Sequence, residues 1–302
     1  MRFFNHTAIS TSIAATFVLT VGAVEAQAVA YRVSVLTSNF VEASETLSST
    51  SEAVAVAIDA EDDFNGLGSS HAASARSGPG TLGVRAQNFQ EQDVFFDEEV
   101  ETVGITTASA SWTDRLTAPT GADAITLGFA LDGSFLATGF FDSLSFRAFS
   151  RDVDSVSVAY DGFIDPRIGA FGFEQSGGAV KEAELFLIDS GFGGGETPRA
   201  PIDLSVSFTF GLTPLSEGPT TINVNLFAKS FFGDVDFSST ATLVSAFALS
   251  GGVRLQGPLV GELTGDLDVL TGQVQPIPLP AAGWLLFSGM AAMAAVGRRR
   301  EA

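Results

Sequence analysis

Along most of the chain, apolar and polar residues alternate. Ile202-Asp203-Leu204-Ser205-Val206-Ser207-Phe208-Thr209-Phe210 does so without a break, and residues 221–226, 144–149 and 153–160 repeat the pattern. Successive side chains of a strand point to opposite faces, so a period of two marks strands with one face buried and one face in water. Turn-forming pairs interrupt them at Asp132-Gly133, Asp161-Gly162, Gly177-Gly178, Gly233-Asp234 and Gly251-Gly252. Many short strands with frequent turns predict an all-β body, an antiparallel β-sandwich of jelly-roll type. Residues 180–189 fit either a short helix or a strand. Residues 69–83, rich in Gly and Ser, and 191–201, with Gly193-Gly194-Gly195, are expected as exposed loops. No boundary divides the body, which is expected to run over 31–274.

The pattern changes at both ends. Arg2 precedes an apolar run at 13–24, followed by Ala26-Gln27-Ala28 and Ala28-Val29-Ala30. A charged start, a short apolar helix and small residues at A-x-A spacing predict a signal peptide over 1–30, read by the Sec translocon and signal peptidase. Cutting after Ala28 or Ala30 leaves Val29 or Tyr31 as the mature start. The run of about 12 residues is too short to span roughly 30 Å of hydrocarbon.

At the other end, Pro276-Ile277-Pro278-Leu279-Pro280 excludes helix, because proline lacks the amide donor and its ring clashes with the preceding turn. Residues 281–296 then carry no charge, and Arg298-Arg299-Arg300 follows. As a helix this run reaches about 25 Å, the short end of what crosses a bilayer. Trp284 suits one interface and the arginines suit the cytoplasmic side. The expected topology is a body outside the inner membrane and a tail, 275–302, that spans it.

The order Ile277-Pro278-Leu279-Pro280-Ala281, apolar helix, Arg298-Arg299-Arg300 resembles a VPLPA-CTERM sorting signal, a branch of the PEP-CTERM family. Ile277 stands where that motif has Val, a change of one methylene between β-branched residues. The resemblance covers about the last 26 residues and none of the body. It implies recognition by an exosortase-type enzyme of the inner membrane, which would cut near the proline motif. Pro278, Leu279, Pro280 and Ala281 would be the recognised residues and Arg298, Arg299 and Arg300 the stop. It further implies a Gram-negative host and a destination at the cell surface or in a matrix containing exopolysaccharide. The chain would be the enzyme's substrate. A tail that is never cut, leaving a tail-anchored surface protein, is the competing expectation.

Composition narrows what the body can do. The 302 residues carry a formal net charge of −20, which repels nucleic acid. With 45% hydrophobic residues there is material for a large core, and with no Cys there is no thiolate, zinc-cysteine or Cys-lipid chemistry. Of two histidines, His6 lies in the signal peptide and His71 is expected on a surface loop, so a Ser-His-Asp triad or a multi-His metal site is hard to build. Acidic groups at 61–63, 97–99, Asp152 with Asp154, and Asp234 with Asp236 lack the spacing of a known calcium loop and read as solvated surface. The 27 Phe against two Trp and two Tyr indicate core packing; Trp112 and Tyr160 are the candidate sugar-stacking residues. No catalytic residue, metal or cofactor is expected. A structural or adhesive matrix protein is the first expectation, a carbohydrate-binding or polysaccharide-processing module the second.

Overall fold

The computed structural model describes residues 30–267, except 39–41, 51–52, 65–66, 91–104, 138–141, 176, 190–198, 214–217 and 232. The signal peptide apart from Ala30, and the entire tail from 275 to 302, lie outside the described residues. Within them the chain is built of antiparallel strands. The first five are β1 (Ala30–Ser38), β2 (Glu42–Ser49), β3 (Val54–Phe64), β4 (Leu67–Gly78) and β5 (Thr81–Gln90). Next come β6 (Ile105–Thr117), β7 (Ala124–Ala137), β8 (Ser143–Ser150), β9 (Val153–Ile164), β10 (Ile168–Gln175) and β11 (Lys181–Asp189). The last are β12 (Ala200–Leu212), β13 (Thr220–Ser230), β14 (Gly233–Ser250), and the short β15 (Val253–Arg254), β16 (Val260–Gly261) and β17 (Gly265–Asp266).

Two sheets face each other. The first runs β10-β11-β8-β13-β6-β1-β2, with β16 beside β6 and β17 beside β16; the second runs β3-β4-β5-β14-β7-β12-β9, with β15 on β14. The pairing is nested: β14 lies between β5 and β7, and β13 lies between β6 and β8. From β5 to β10, and again from β11 to β14, each strand passes to the opposite sheet. The two sheets meet along both sides, where β2 touches β3 and β9 touches β10.

The alternation read from the sequence is the alternation of burial. In β12, Ile202, Leu204, Val206, Phe208 and Phe210 face the core while Asp203 and Ser205 face water. Phe129 of β7 and Phe208 of β12 meet Phe146 of the opposite sheet edge-to-face, with centroids 5.1 Å apart in both pairs and planes at 84° and 81°. Each such pair adds about 0.5–1.5 kcal/mol beyond the area it buries, because a ring edge meets a ring face of opposite partial charge. Nearer the β1–β2 side, the first sheet contributes the bulk, Tyr31 and Trp112, and β4 across from it contributes Ala73 and Ala75. Ser77 Oγ donates to the Ser111 carbonyl at 2.8 Å and ties the sheets together there.

Four expectations are corrected. Residues 69–83 are not a loop but most of β4, a turn at 79–80 and the start of β5. His71 is accordingly buried in β4, opposite Asn88 of β5. Trp112 is fully buried and offers no surface for stacking. Of the five turn pairs, Gly177-Gly178 and Gly251-Gly252 do turn, but Asp132-Gly133 lies in β7, Asp161-Gly162 in β9, and Gly233-Asp234 opens β14. The glycines at two of these serve close packing. A Cβ on Gly133 would sit 2.4 Å from the Phe237 ring, and one on Gly162, at φ +132, would sit 2.3 Å from the Asp203 carbonyl. Residues 180–189, left between helix and strand by their sequence, are strand β11 from Lys181.

Truncating the central ring tests this core. Phe208→Ala should cost about 3–5 kcal/mol, through lost transfer energy and the cavity left behind. A urea unfolding midpoint that hardly moves would contradict the packing.

Candidate functional site

Strand β6 organises both ends of the described chain. Its β1 edge pairs Ala30 with Thr113, and further along the same side β16 pairs Gly261 with Leu116 and Val260 with Thr117. The opposite edge of β6 is filled by β13. The start of the body and its last described turn therefore emerge together, at the C-terminal end of β6. Of the residues expected at the signal-peptide cut, Ala28 lies outside the described residues and Ala30 is the first residue of β1. Ile277, Pro278, Leu279, Pro280, Ala281, Arg298, Arg299 and Arg300 also lie outside them. Among the described residues, no helix is long and apolar enough to cross a membrane.

Asp114 fastens this end. It occupies an inward position of β6 and is fully buried. Its carboxylate accepts from the Leu263 amide at 2.9 Å, the Thr264 amide at 3.0 Å, the Thr264 hydroxyl at 2.6 Å and the Arg115 amide at 2.7 Å. A buried carboxylate needs such donors to offset its lost hydration. Beside it, the Tyr31 hydroxyl is buried with no hydrogen-bond partner among the described residues. Burial, with the negative charge of Asp114 adding to it, pushes the Tyr31 pKa up to about 12.

The far end of the sandwich carries the densest polar network. Asp234 is 1% exposed and accepts from Arg85 Nε at 3.0 Å, from Arg85 again at 2.9 Å, and from Arg199 at 2.9 Å. Arg85 also donates to Gln87 at 2.8 Å, and Arg199 donates to Ser134 at 3.0 Å. Asp236 lies within 3.9 Å of both arginines. The hydrogen bond to Asp234 raises the Arg85 pKa above its ordinary value. Nearby, the buried Asp142 accepts the Phe231 amide at 2.7 Å, and its own carbonyl accepts the Asp189 amide at 3.0 Å. These acids pin loop backbone and arginine forks.

Asp152 and Asp154 are also committed to structure. Asp152 accepts the Thr221 amide at 3.0 Å and Asp154 accepts the Thr213 hydroxyl at 3.3 Å. Residues 61–63 fall in β3, and 97–99 lie outside the described residues. Among the described residues, no group of three or more His, Cys, Asp and Glu side chains is arranged to hold a metal ion. The second sheet carries one shallow depression of about 380 Å³, between Ala55, Ala57, Ser74, Arg76, Gly83 and Ser238. Its lining is mostly small and apolar, with Ser74, Ser238 and Arg76 the polar side chains. Tyr160, one of the two stacking candidates, is 39% exposed on edge strand β9. Phe163, Phe171 and Phe173 are exposed as well, which sequence pattern does not reveal because their spacing resembles that of the buried phenylalanines.

Two outcomes follow from these networks. Unfolded tyrosine ionises near pH 10, whereas folded Tyr31 holds its proton to about pH 12. Across that window the unfolded chain gives up a proton that the folded chain keeps, so stability falls as pH rises, by about 2–3 kcal/mol in all. Tyr31→Phe should flatten this slope in urea melts and cost nothing at neutral pH; an unchanged slope would refute the assignment. Asp234→Ala should cost about 2 kcal/mol, since both arginines are partly exposed and can turn to water. Faster amide exchange at the Arg199 end of β12 should accompany it, and unchanged exchange there would show that Asp234 does not hold that segment.

No family model matches the chain, and neither a curated protein nor a solved structure does.

Proposed function

We propose that this chain is an exported bacterial surface protein that is sorted through its C-terminal tail and has a structural or adhesive, non-enzymatic role in the extracellular matrix. The sorting signal is the order of proline motif, uncharged run and arginine triplet at 277–281, 281–296 and 298–300. An exosortase-type enzyme of the inner membrane would act on it. The Sec translocon and signal peptidase would act earlier, at the front. The Gram-negative inner membrane would hold the chain through its tail in transit, and the cell surface or an exopolysaccharide matrix would be its destination. The strongly negative charge leaves nucleic acid out.

The observation that carries this reading is the division of the chain. In sequence the two expected processing signals lie at residues 1–30 and 275–302, and the first strand and the last described turn of the body pair side by side with one end of β6. A cut after Ala28 or near the proline motif would leave every described strand whole, and one after Ala30 would take only the first residue of β1, as a cargo domain tolerates. The far end and both broad faces would then point away from the attachment. We further read the body as a jelly roll. The orders β5-β14-β7-β12 and β6-β13-β8-β11, with nested antiparallel pairs and consecutive strands in opposite sheets, support this topology.

Replacing Pro278 and Pro280 with Ala should keep the protein in the inner membrane with its tail attached. The unchanged protein should be recovered outside that membrane, at an intact mass lacking Trp284 and the arginine triplet. Normal release of the double variant would remove the role of the motif. A wild-type mass that retains Trp284 in every fraction would replace sorting with permanent tail anchoring.

A further inference from the structure

Among the described residues, eight large hydrophobic side chains are exposed. Half of them are aromatic, and those four, Tyr160, Phe163, Phe171 and Phe173, all lie on β9 and β10. These two strands extend the sandwich along one side. The nested strands β5 to β8 and β11 to β14 form two paired sheets without them, and β9 and β10 add one strand to the end of each. Residues 171–175 of β10 are all exposed. An added edge that turns Phe171 and Phe173 outward is not explained by core formation, and exposed apolar patches of this kind mark binding surfaces.

The geometry narrows the ligand. Phe171 and Phe173 stand two residues apart on the same face of β10, with ring centroids 6.3 Å apart and planes inclined by only 27°. On the neighbouring strand Phe186 lies opposite Phe171 and Glu184 lies opposite Phe173. Glu184 accepts from Ser145 Oγ at 2.6 Å, and Glu182 accepts from Arg147. Each carboxylate has two oxygens and several lone pairs, so both keep capacity for further donors. An aromatic strip thus borders a row of hydrogen-bond acceptors on the outer face of the first sheet.

We propose that this edge binds a neutral polysaccharide chain. The C–H face of a sugar ring is apolar and carries positive partial charge, which the negative face of an aromatic ring attracts. The ring hydroxyls are donors that suit Glu184 and Glu182. An acyl chain would leave both carboxylates against hydrocarbon. A polyuronate would be repelled by them and by the net charge of −20, and a second copy would bring like charges together. The inference deepens the adhesive matrix role proposed above and rests on it.

The test uses the full-length chain in mild detergent, run on native gels containing hydroxyethyl cellulose, a neutral galactomannan, or alginate. At least one neutral polymer should retard the protein and alginate should not. Phe171→Ala with Phe173→Ala should weaken that binding at least tenfold. Phe171→Leu with Phe173→Leu keeps the apolar volume but removes the ring faces, and should do the same should the alanine pair fold poorly. Three results would overturn the inference: no retardation by either neutral polymer, retardation by alginate alone, or equal retardation of a folded double variant. A dimer that forms with concentration and is lost in the double variant would also overturn it, by assigning the strip to a second copy. Cell fractionation separates this from the broader reading. Release from the inner membrane without neutral-polymer binding sinks only the glycan inference, whereas failure of wild-type release sinks the sorting proposal.

Discussion

The body depends on the dry contact between the inward faces of its two sheets. Strand side chains alternate with a period of two, so a slip of one residue in any pair would carry that strand's apolar set into water. The Phe129, Phe146 and Phe208 rings lock three strands of both sheets at once. Polar groups are therefore driven to the ends of the sandwich, where Asp114 at one end and Asp234 and Asp142 at the other are buried against amides and arginines. These buried acids act as staples that hold backbone amides and arginines in place.

Strand β6 connects that core to the proposed itinerary. It lends one edge to both chain ends and gives its Asp114 to the turn that leads out of the body. Whatever follows residue 267 leaves from the same end at which residue 30 enters. The aromatic side, on β9 and β10, belongs to the far margin of both sheets, several strands away from β6. The proposed attachment end and the proposed recognition surface are thereby separated in space, which would let one operate without obstructing the other.

Much of this was legible in the sequence. The strands at 202–210, 221–226 and 144–149 were clear because each has one more deeply buried face, which writes the period of two into the residues; 153–160 is a strand as well, although its burial does not alternate. β4 was illegible because its inward residues, His71, Ala73, Ala75 and Ser77, are small or polar, and the apolar bulk facing them comes from Tyr31 and Trp112 elsewhere in the chain. Gly133 and Gly162 read as turns because local sequence cannot show that a ring or a backbone from another strand needs the space of a side chain. The acidic pairs read as surface because their arginine and amide partners are far away in sequence; Arg85 and Asp234, for example, are 149 residues apart. The exposed phenylalanines were hidden for the converse reason: an edge strand keeps the alternation of a buried one after it loses its cover.

The co-emergence of the two ends can be measured directly, because the chain has no cysteine and accepts unique spin labels. Labels at Asp266 and Arg32 should lie about 20 Å apart, from six residues of strand at roughly 3.3 Å each. Labels at Asp266 and Thr107 should lie about 33 Å apart, from ten such residues along β6. A short, narrow first distance and a distinctly longer second one would bear out the arrangement. A first distance equal to the second, or spread over a broad range, would mean that β6 does not gather the two ends.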